Sequence, residues 1–539
     1  MKIWDDTWPA MRLEAHYNDR VVRCFENRPT SLYQLLVDAQ AKNPKGIALV
    51  CEDKRLTYTQ LLQASTQLAG AMTSKGIVAG ERIALVLGNR IEFIIVLFAA
   101  ARIGVISVPL SIRDQKPGFA YALAHCGARA VFHEADLSAL LPDAKEAPDL
   151  TYRISMQSCP GSDSYEQWTA IDHASTITQV AEEDTAVILY TSGTTGRPKG
   201  AMLTHLAIVH SSMHYQIGMG LTTQDCSIVT VPLSHVTGLI ALITTMVLSA
   251  CKLIVMPQFK AAVFLKLAVE EKMTHTLMVP AMYNLCLLEK DFGKMNLSAW
   301  RVGAYGGAPM PVATIEKLAD TVRSLILMNC YGATETTSPA TLMPQGETVN
   351  HNDTVGISLA CSDMCVVDDQ GIQLPSHEMG EIWIKGPMVV KGYWNNPKAT
   401  AENFIAGYWR SGDLGSMDEQ GYVKVLDRKK DMINRGGYKI YTIEVENALY
   451  EHPSVQECAV VAKPCEVLGE RVHAFVSLRS SPITDQELKT FCQSRLSDYK
   501  VPESFTFLQI PLPRNANGKL MKRLMRDELM AHGVKTQRA

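Results

Sequence analysis

The sequence predicts an α/β protein of several domains, with two α/β lobes and a small β-barrel in a large amino-terminal part, and three observations carry that expectation. The chain has 539 residues, more than one hydrophobic core serves, which suggests roughly two to four domains or subdomains. Short β-branched runs alternate with helix-length apolar or amphipathic runs over residues 31–110 and again over 229–300, as in parallel strands joined by helices. Over residues 380–397 the pattern changes to strand alternation broken by glycines, consistent with a small barrel.

Each element has a local reason. An amphipathic run over 31–41 predicts a helix, and residues 47–51 predict a strand. Thr57 is placed to cap a helix that reaches about Ser74 and stops at Lys75-Gly76. Residues 82–87 read as a strand, 90–103 as an apolar helix closed by Gly104, and 105–109 as the next strand. Over 146–183 dispersed Pro, Ser, Asp and Gly predict a connector between the two lobes. Residues 185–190 form a buried strand, and Thr204 caps a helix to about Met219. The strand opening at Val229 breaks at Pro232 and presents His235 at its carboxyl end, where open α/β sheets bind ligands. Residues 252–256 and 276–280 continue the alternation, and 301–311 break a strand with three glycines. A charge-dense segment over 427–433 separates residues 1–426 from 427–539.

Composition narrows the function. A net charge of −3 with 20% charged residues gives no bulk attraction to nucleic acid or an anionic membrane, so small molecules are the expected partners. The 13 cysteines contain no C-x-x-C pair, and Cys361 and Cys365 have no matching second pair, so reduced thiols are expected. The amino terminus lacks a signal-peptide pattern, and no run reaches the roughly 18 apolar residues of a membrane span. A soluble, cytoplasmic protein is expected, and a homodimer is left open. His210 and His214 have zinc-capable spacing without the glutamate of H-E-x-x-H, which favours packing.

The run Tyr190-Thr-Ser-Gly-Thr-Thr-Gly-Arg-Pro-Lys-Gly200 concentrates phosphate donors. Gly193, Gly196 and Gly200 let backbone N–H groups approach a ligand, and Thr191, Ser192, Thr194, Thr195 and Lys199 supply hydroxyls and an ammonium. Pro198 before the lysine departs from the P-loop pattern. A flexible surface loop is the bland alternative. A second run, Asn329-Cys-Tyr-Gly-Ala-Thr-Glu-Thr-Thr337, offers an aromatic face, a hydroxyl and a hard oxygen ligand about 130 residues later.

Together these runs closely resemble the signatures of the adenylate-forming superfamily, which includes acyl-CoA synthetases, aryl-CoA ligases, peptide-synthetase adenylation domains and firefly luciferase. The resemblance spans about residues 30–525 and is closest in pattern to acyl-CoA ligases. It implies ATP, Mg²⁺ and coenzyme A as cofactors or co-substrates. It implies that Thr191, Ser192, Gly193, Thr194, Thr195, Gly196 and Lys199 hold phosphate, with Thr191 and Lys199 also catalytic. Gly307, Ala308 and Pro309 would pack against adenine, with Tyr331 offering its aromatic face, and Asn329, Cys330, Gly332 and Ala333 would bind the cofactor beside them. Thr334 would meet the α-phosphate, and Glu335, with Thr191, would hold the metal. Asp413 resembles the residue that takes the ribose hydroxyls, and Arg428 the one that reaches the nucleotide.

The same resemblance implies a smaller, mobile α+β carboxy-terminal domain that pivots at Asp427. Gly436 and Gly437 would meet pantetheine, and Lys519, spaced from Pro513 as in the family's Pro-x-x-x-x-Gly-Lys, would bridge carboxylate and α-phosphate. Thr442 stands where many relatives have proline before the pair Glu444 and Glu446. The acyl pocket would be built from His235, Val236, Gly238, Ala304, Tyr305, Gly306, Thr336 and Pro339. Valine at 236 cannot pair with an α-ammonium, so an acid without a charged amine is implied. The implied reaction is ATP-dependent acid:CoA ligation through an acyl-adenylate. Three alternatives stay open: transfer to a carrier-protein phosphopantetheine, a non-catalytic nucleotide-binding relative, and an oxidative relative like luciferase.

Overall fold

The computed structural model describes residues 4, 8–170, 175–191, 197–479, 483–514 and 520–536. The chain divides into two compact units. The first holds Met1–Met364, Ile384–Arg410 and Gln420–Tyr422, the second Cys365–Trp383, Ser411–Glu419 and Val423–Ala539.

The first unit is built on two sheets. One has seven strands in the order Lys199–Thr204, Thr185–Thr191, Ile106–Pro109, Arg82–Val86, Ala128–His133, Tyr152–Ser155 and Asp163–Ser164, all pairs parallel except the first. The other has nine, with a parallel centre of Ile326–Tyr331, Val302–Gly306, His275–Met278, Cys226–Val229, Lys252–Val255 and Ile47–Cys51. These central strands are buried almost throughout because both faces are covered. Thr57 caps the helix Tyr58–Ser74 through a reciprocal box with Gln60, at 3.2 and 2.8 Å. Ile91–Arg102 is buried almost all round, as its composition requires.

Two local expectations are revised by long-range pairing. Ile47–Cys51 forms a hairpin with Lys54–Thr57 and pairs on its other edge with Lys252–Val255 in the nine-stranded sheet, apart from Arg82–Val86 and Ile106–Pro109. The stretch read as a connector adds Tyr152–Ser155, Asp163–Ser164 and the helix Tyr165–Thr169, with Ile154 fully buried.

The strand-rich stretch expected as a barrel enters a five-stranded sheet with Asp363–Val367, Gly380–Lys385, Tyr408–Met417, Phe404–Ile405 and Val423–Arg428, and the boundary between the units falls within three of these strands. Within the second unit, the strand Gly469–Leu478 forms a long hairpin with Val455–Cys465 and pairs along its other edge with both Ser504–Leu508 and Ile433–Arg435, the latter continued by Tyr438–Ile440. Its apolar face packs with Val445, Leu449 and Leu488 from two helices.

Buried histidines in the first unit make stability pH-dependent. His210 donates from Nδ1 to Leu206 O at 2.9 Å and accepts Phe25 N–H on Nε2 at 3.2 Å, so both of its nitrogens are committed to backbone. Burial lowers it to about 3, and lowers His205 and His275 to about 4. The unfolded chain protonates such groups near pH 6.5, so below that pH it binds more protons than the folded chain. Their contribution is whole above pH 6.5 and fades as pH falls toward 4, by roughly 3 kcal/mol for each of His205 and His275. The urea midpoint of the first unit is expected to drop between pH 7.5 and pH 5, and a flat profile would count against neutral burial.

Candidate functional site

The phosphate-donor run is the turn of an antiparallel hairpin. Thr191 faces Lys199 in register at the ends of Thr185–Thr191 and Lys199–Thr204. The second strand was not anticipated from sequence. The hairpin is strapped to the helix Lys116–Cys126: Tyr190 donates to Ala122 O at 3.1 Å and pairs with His125 Nδ1 at 2.9 Å. Tyr121 donates to Pro198 O at 2.9 Å, so both ends of the turn are held. Ser192, Gly193, Thr194, Thr195 and Gly196 lie outside the described residues. Along the outer edge of the second strand, Trp394 N donates to Gly200 O at 2.7 Å and Met202 N to Gly392 O at 3.0 Å. That pairing seats Tyr393 against the strand, with Lys199 Nζ 4.5 Å from its ring centroid.

Glu335 arrives on a tightly wound loop. After Ile326–Tyr331 the chain makes one 3₁₀ turn, Thr334–Thr336, and closes with Ala340 N donating to Tyr331 O at 2.7 Å. Thr337 and Ser338 have φ of +51° and +90°, unusual for non-glycine residues and typical of strained functional loops. Ser338 is fixed by a 2.9 Å hydroxyl contact with Tyr215, and the Thr336 hydroxyl accepts Ala333 N–H at 2.9 Å. Glu335 is buried, and its Oε1 accepts from Tyr393 OH at 2.9 Å and from Thr191 Oγ1 at 3.4 Å. The structure therefore brings together Thr191, Lys199 and Glu335. A single carboxylate beside a hydroxyl suits Mg²⁺, which takes one or two carboxylates and completes its shell with phosphate oxygens and water.

The remaining residues of the first unit sit at the carboxyl ends of its parallel strands. Gly306 pairs with Cys330, and a Cβ on Gly306 would lie 2.3 Å from Cys330 O, so the approach requires glycine. Gly307, Ala308 and Pro309 are exposed just beyond, while Tyr331, Ala333 and Thr334 are half-buried. Asn329 donates to Thr354 O at 3.4 Å, and burial pushes the Cys330 thiol far up. Half-buried His235 contacts Thr237 through Nδ1 at 3.2 Å and leads into Thr237–Thr244, a π-helix that contains Gly238. Val236, Ala304 and Pro339 are buried, and Tyr305 joins the apolar cluster of Tyr283 and Trp300. Asn89 was missed from sequence: its side chain accepts Leu233 N–H at 3.0 Å and donates to Val231 O and Met256 O at 3.1 Å, fixing the segment before His235.

In the second unit Asp413 and Arg428 are register partners, joined by a 2.8 Å ion pair. Asp427 accepts Arg428 N–H at 2.8 Å and Thr442 N–H at 2.6 Å, and burial raises its carboxyl. Gly436 and Gly437 form the turn between Ile433–Arg435 and Tyr438–Ile440. Lys519 lies outside the described residues. Sequence reasoning missed Lys522, whose ammonium meets Glu446 at 2.7 Å and Thr442 Oγ1 at 2.6 Å. Burial opposes its charge, yet Glu446 and Asp427 hold it above its ordinary value. Lys522→Met would leave Glu446 buried without its cation, a loss of about 3–5 kcal/mol. Urea unfolding is expected to register that loss and to recover most of it in the Lys522→Met, Glu446→Leu double variant; an unchanged single variant refutes the coupling.

Comparison with known proteins places this geometry. Residues 36–394 match the AMP-binding enzyme family, and 444–519 match the AMP-binding enzyme C-terminal domain. The chain is 31% identical over 483 residues to the long-chain-fatty-acid–CoA ligase FadD13 of Mycobacterium tuberculosis, covering 89% of this chain and 94% of that protein. It is 32% identical over 481 residues to the 2-succinylbenzoate–CoA ligase of Bacillus licheniformis, covering 89% and 96%. The o-succinylbenzoate CoA synthetase MenE of Bacillus subtilis, solved with the acyl-adenylate intermediate OSB-AMP, superposes with a TM-score of 0.82 at 28% identity over 92% of this chain and 98% of that one. The same synthetase is known in complex with ATP and magnesium ion, with a TM-score of 0.81 at 29% identity over 91% and 98%.

Proposed function

Because this chain belongs to the AMP-binding enzyme family and is an ATP-dependent carboxylic acid:CoA ligase, we propose that Thr191, Lys199 and Glu335 form its phosphate and metal site and that its substrate is an apolar acid without a charged amine. The observation that carries this reading is the contact of Glu335 with Thr191 at the mouth of the phosphate hairpin.

A carboxylate is a poor electrophile because its leaving group would be oxide, so the acid first attacks the α-phosphorus of ATP and pyrophosphate departs. Lys199, the hydroxyls of the hairpin turn and Lys519 offset the negative charge that develops on phosphate oxygens. Mg²⁺, held by Glu335 and Thr191, would neutralise phosphate charge as a Lewis acid. Tyr331 and the turn over 306–309 take adenine, Thr334 meets the α-phosphate, Asp413 the ribose, and Arg428 the nucleotide. For the second step residues 427–539 pivot at Asp427, which withdraws Lys519 and brings Gly436 and Gly437 to the pantetheine path. The CoA thiol then attacks the mixed anhydride and AMP leaves.

Buried Val236, Ala304 and Pro339 support an apolar acyl pocket walled by His235. FadD13 is named for long-chain fatty acids and MenE for o-succinylbenzoate, so fatty and aryl acids are the two classes to try first. No helix among the described residues is long and apolar enough to cross a membrane, and a cytoplasmic location is part of this reading. Free CoA is the proposed acceptor, with a carrier-protein pantetheine as the second reading; light scattering distinguishes monomer from homodimer.

The test is pyrophosphate release from Mg·ATP across aliphatic, aryl and amino acids, with and without CoA. Release that depends on an apolar acid, with acyl-CoA formed when CoA is added, is expected. Adenylate that accumulates regardless of CoA moves the acceptor to a carrier protein, and release only with amino acids overturns the pocket reading.

A further inference from the structure

Tyr393 lies between the two charged groups of the phosphate site, and its sequence context, a glycine-punctuated strand, assigns it nothing. Its hydroxyl donates to Glu335 Oε1 at 2.9 Å, while its ring face carries the Lys199 ammonium 4.5 Å from the centroid. The side chain is fixed from several directions. Its backbone bridges Ala201, its N–H donates to Thr400 Oγ1 at 3.0 Å, and Phe404 packs edge-on against the ring at 5.6 Å. Only 3% of the residue is exposed, so the ring has one seat.

Two consequences follow from the chemistry. A carboxylate and an ammonium that share a neighbour would ordinarily pair, and a paired carboxylate is a poor ligand for a divalent cation. Among the described residues no ion pair joins Lys199 to Glu335; the ammonium instead takes the negative face of the ring. Among the described residues both hydrogen bonds to the carboxylate fall on Oε1, which orients the group and favours Oε2 for a hard cation. One side chain thus keeps cation and anion apart and aims both.

We infer that Tyr393 is a positioning residue for Mg·ATP, setting Glu335 through its hydroxyl and Lys199 through its ring. The inference rests on the reading of Glu335 as the metal carboxylate. Its test separates the two by measuring ATP binding calorimetrically across a Mg²⁺ titration in wild type, Tyr393→Phe, Tyr393→Leu and Glu335→Gln, alongside KM for ATP and for the acid. Tyr393→Phe keeps the ring and the packing. It is expected to raise the Mg²⁺ midpoint for tight ATP binding about tenfold, the worth of one hydrogen bond to a charged group, with metal-free ATP binding and KM for the acid unchanged. Tyr393→Leu is expected to weaken metal-free ATP binding as well, because Lys199 loses its seat. A wild-type Mg²⁺ midpoint in Tyr393→Phe with a shifted midpoint in Glu335→Gln overturns the role of Tyr393 alone. Unshifted midpoints in both overturn the metal reading of Glu335 together with it.

Discussion

Gly332→Ala is expected to lower acid-dependent pyrophosphate release by about a hundredfold or more while leaving the fold of the first unit in place. A Cβ on Gly332 would sit 1.5 Å from Ser338 O and 2.7 Å from Ser338 C. These are backbone atoms, so no rotamer change relieves the clash. Ser338 cannot simply retreat: its hydroxyl is tied to Tyr215, its carbonyl accepts from Thr336 Oγ1 at 3.2 Å, and its φ of +90° is already strained. Glu335 lies three residues before Ser338 on the same closed loop, so a shift of about 1 Å there is carried into the carboxylate, and displacements of that size cost catalysis heavily. Gly293→Ala is the control, because its Cβ would meet only Thr321 Cγ2 at 3.8 Å, ordinary contact. Gly332→Ala at wild-type rates would show that the loop tolerates repositioning and that Glu335 needs no fixed seat.

Which parts of this architecture could be read in advance follows from the range of the forces that make them. Thr57 and Gln60 are three residues apart, so their capping box is written in four letters. The helix Ile91–Arg102 announces itself by being apolar on every face. Ile47–Cys51 is different: its composition shows a buried strand but cannot say that one of its two partners is Lys252–Val255, some two hundred residues on. The second strand of the phosphate hairpin, Lys199–Thr204, was hidden because its glycine and lysine resemble loop until Tyr190 is placed opposite Gly200.

The same limit applies at the site. The motifs drew attention to Thr191, Lys199 and Glu335 as chemical types, while the strand register that sets Thr191 opposite Lys199, and the contacts of Tyr393 with Lys199 and Glu335, have no local pattern. Lys522 reads as a surface charge on a polar helix, and only the fold shows it buried against Glu446. Asp413 and Arg428 lie fifteen positions apart, and the strand register makes them neighbours.

Lys519→Ala is expected to lower adenylate formation by about a hundred- to a thousandfold and to leave CoA thioester formation from supplied acyl-adenylate within a few-fold of wild type. The described residues on either side of Lys519 are anchored. Arg514 and Leu520 form an antiparallel bridge across the segment, Arg514 Nη2 is held by Glu457 Oε1 at 2.7 Å, and Leu512 N donates to Glu457 Oε2 at 3.1 Å. Three residues beyond, Lys522 anchors the next helix in the buried pair with Glu446. Both described flanks of the segment are thus anchored within the second unit. Charge builds on the phosphate oxygens while the carboxylate attacks and pyrophosphate leaves, and on the proposed reading Lys519 meets it there. In the second step the thiol attacks and the phosphate of AMP leaves with the electron pair of the broken bond, but on the proposed pivot residues 427–539 have by then withdrawn Lys519, so its ammonium is absent from that transition state. An interaction present in one transition state and absent from the other must therefore split the half-reactions when it is removed. Equal loss in both, measured by pyrophosphate release and by CoA consumption from synthetic adenylate, would place Lys519 in a role common to the two steps and remove the reason for a pivot at Asp427.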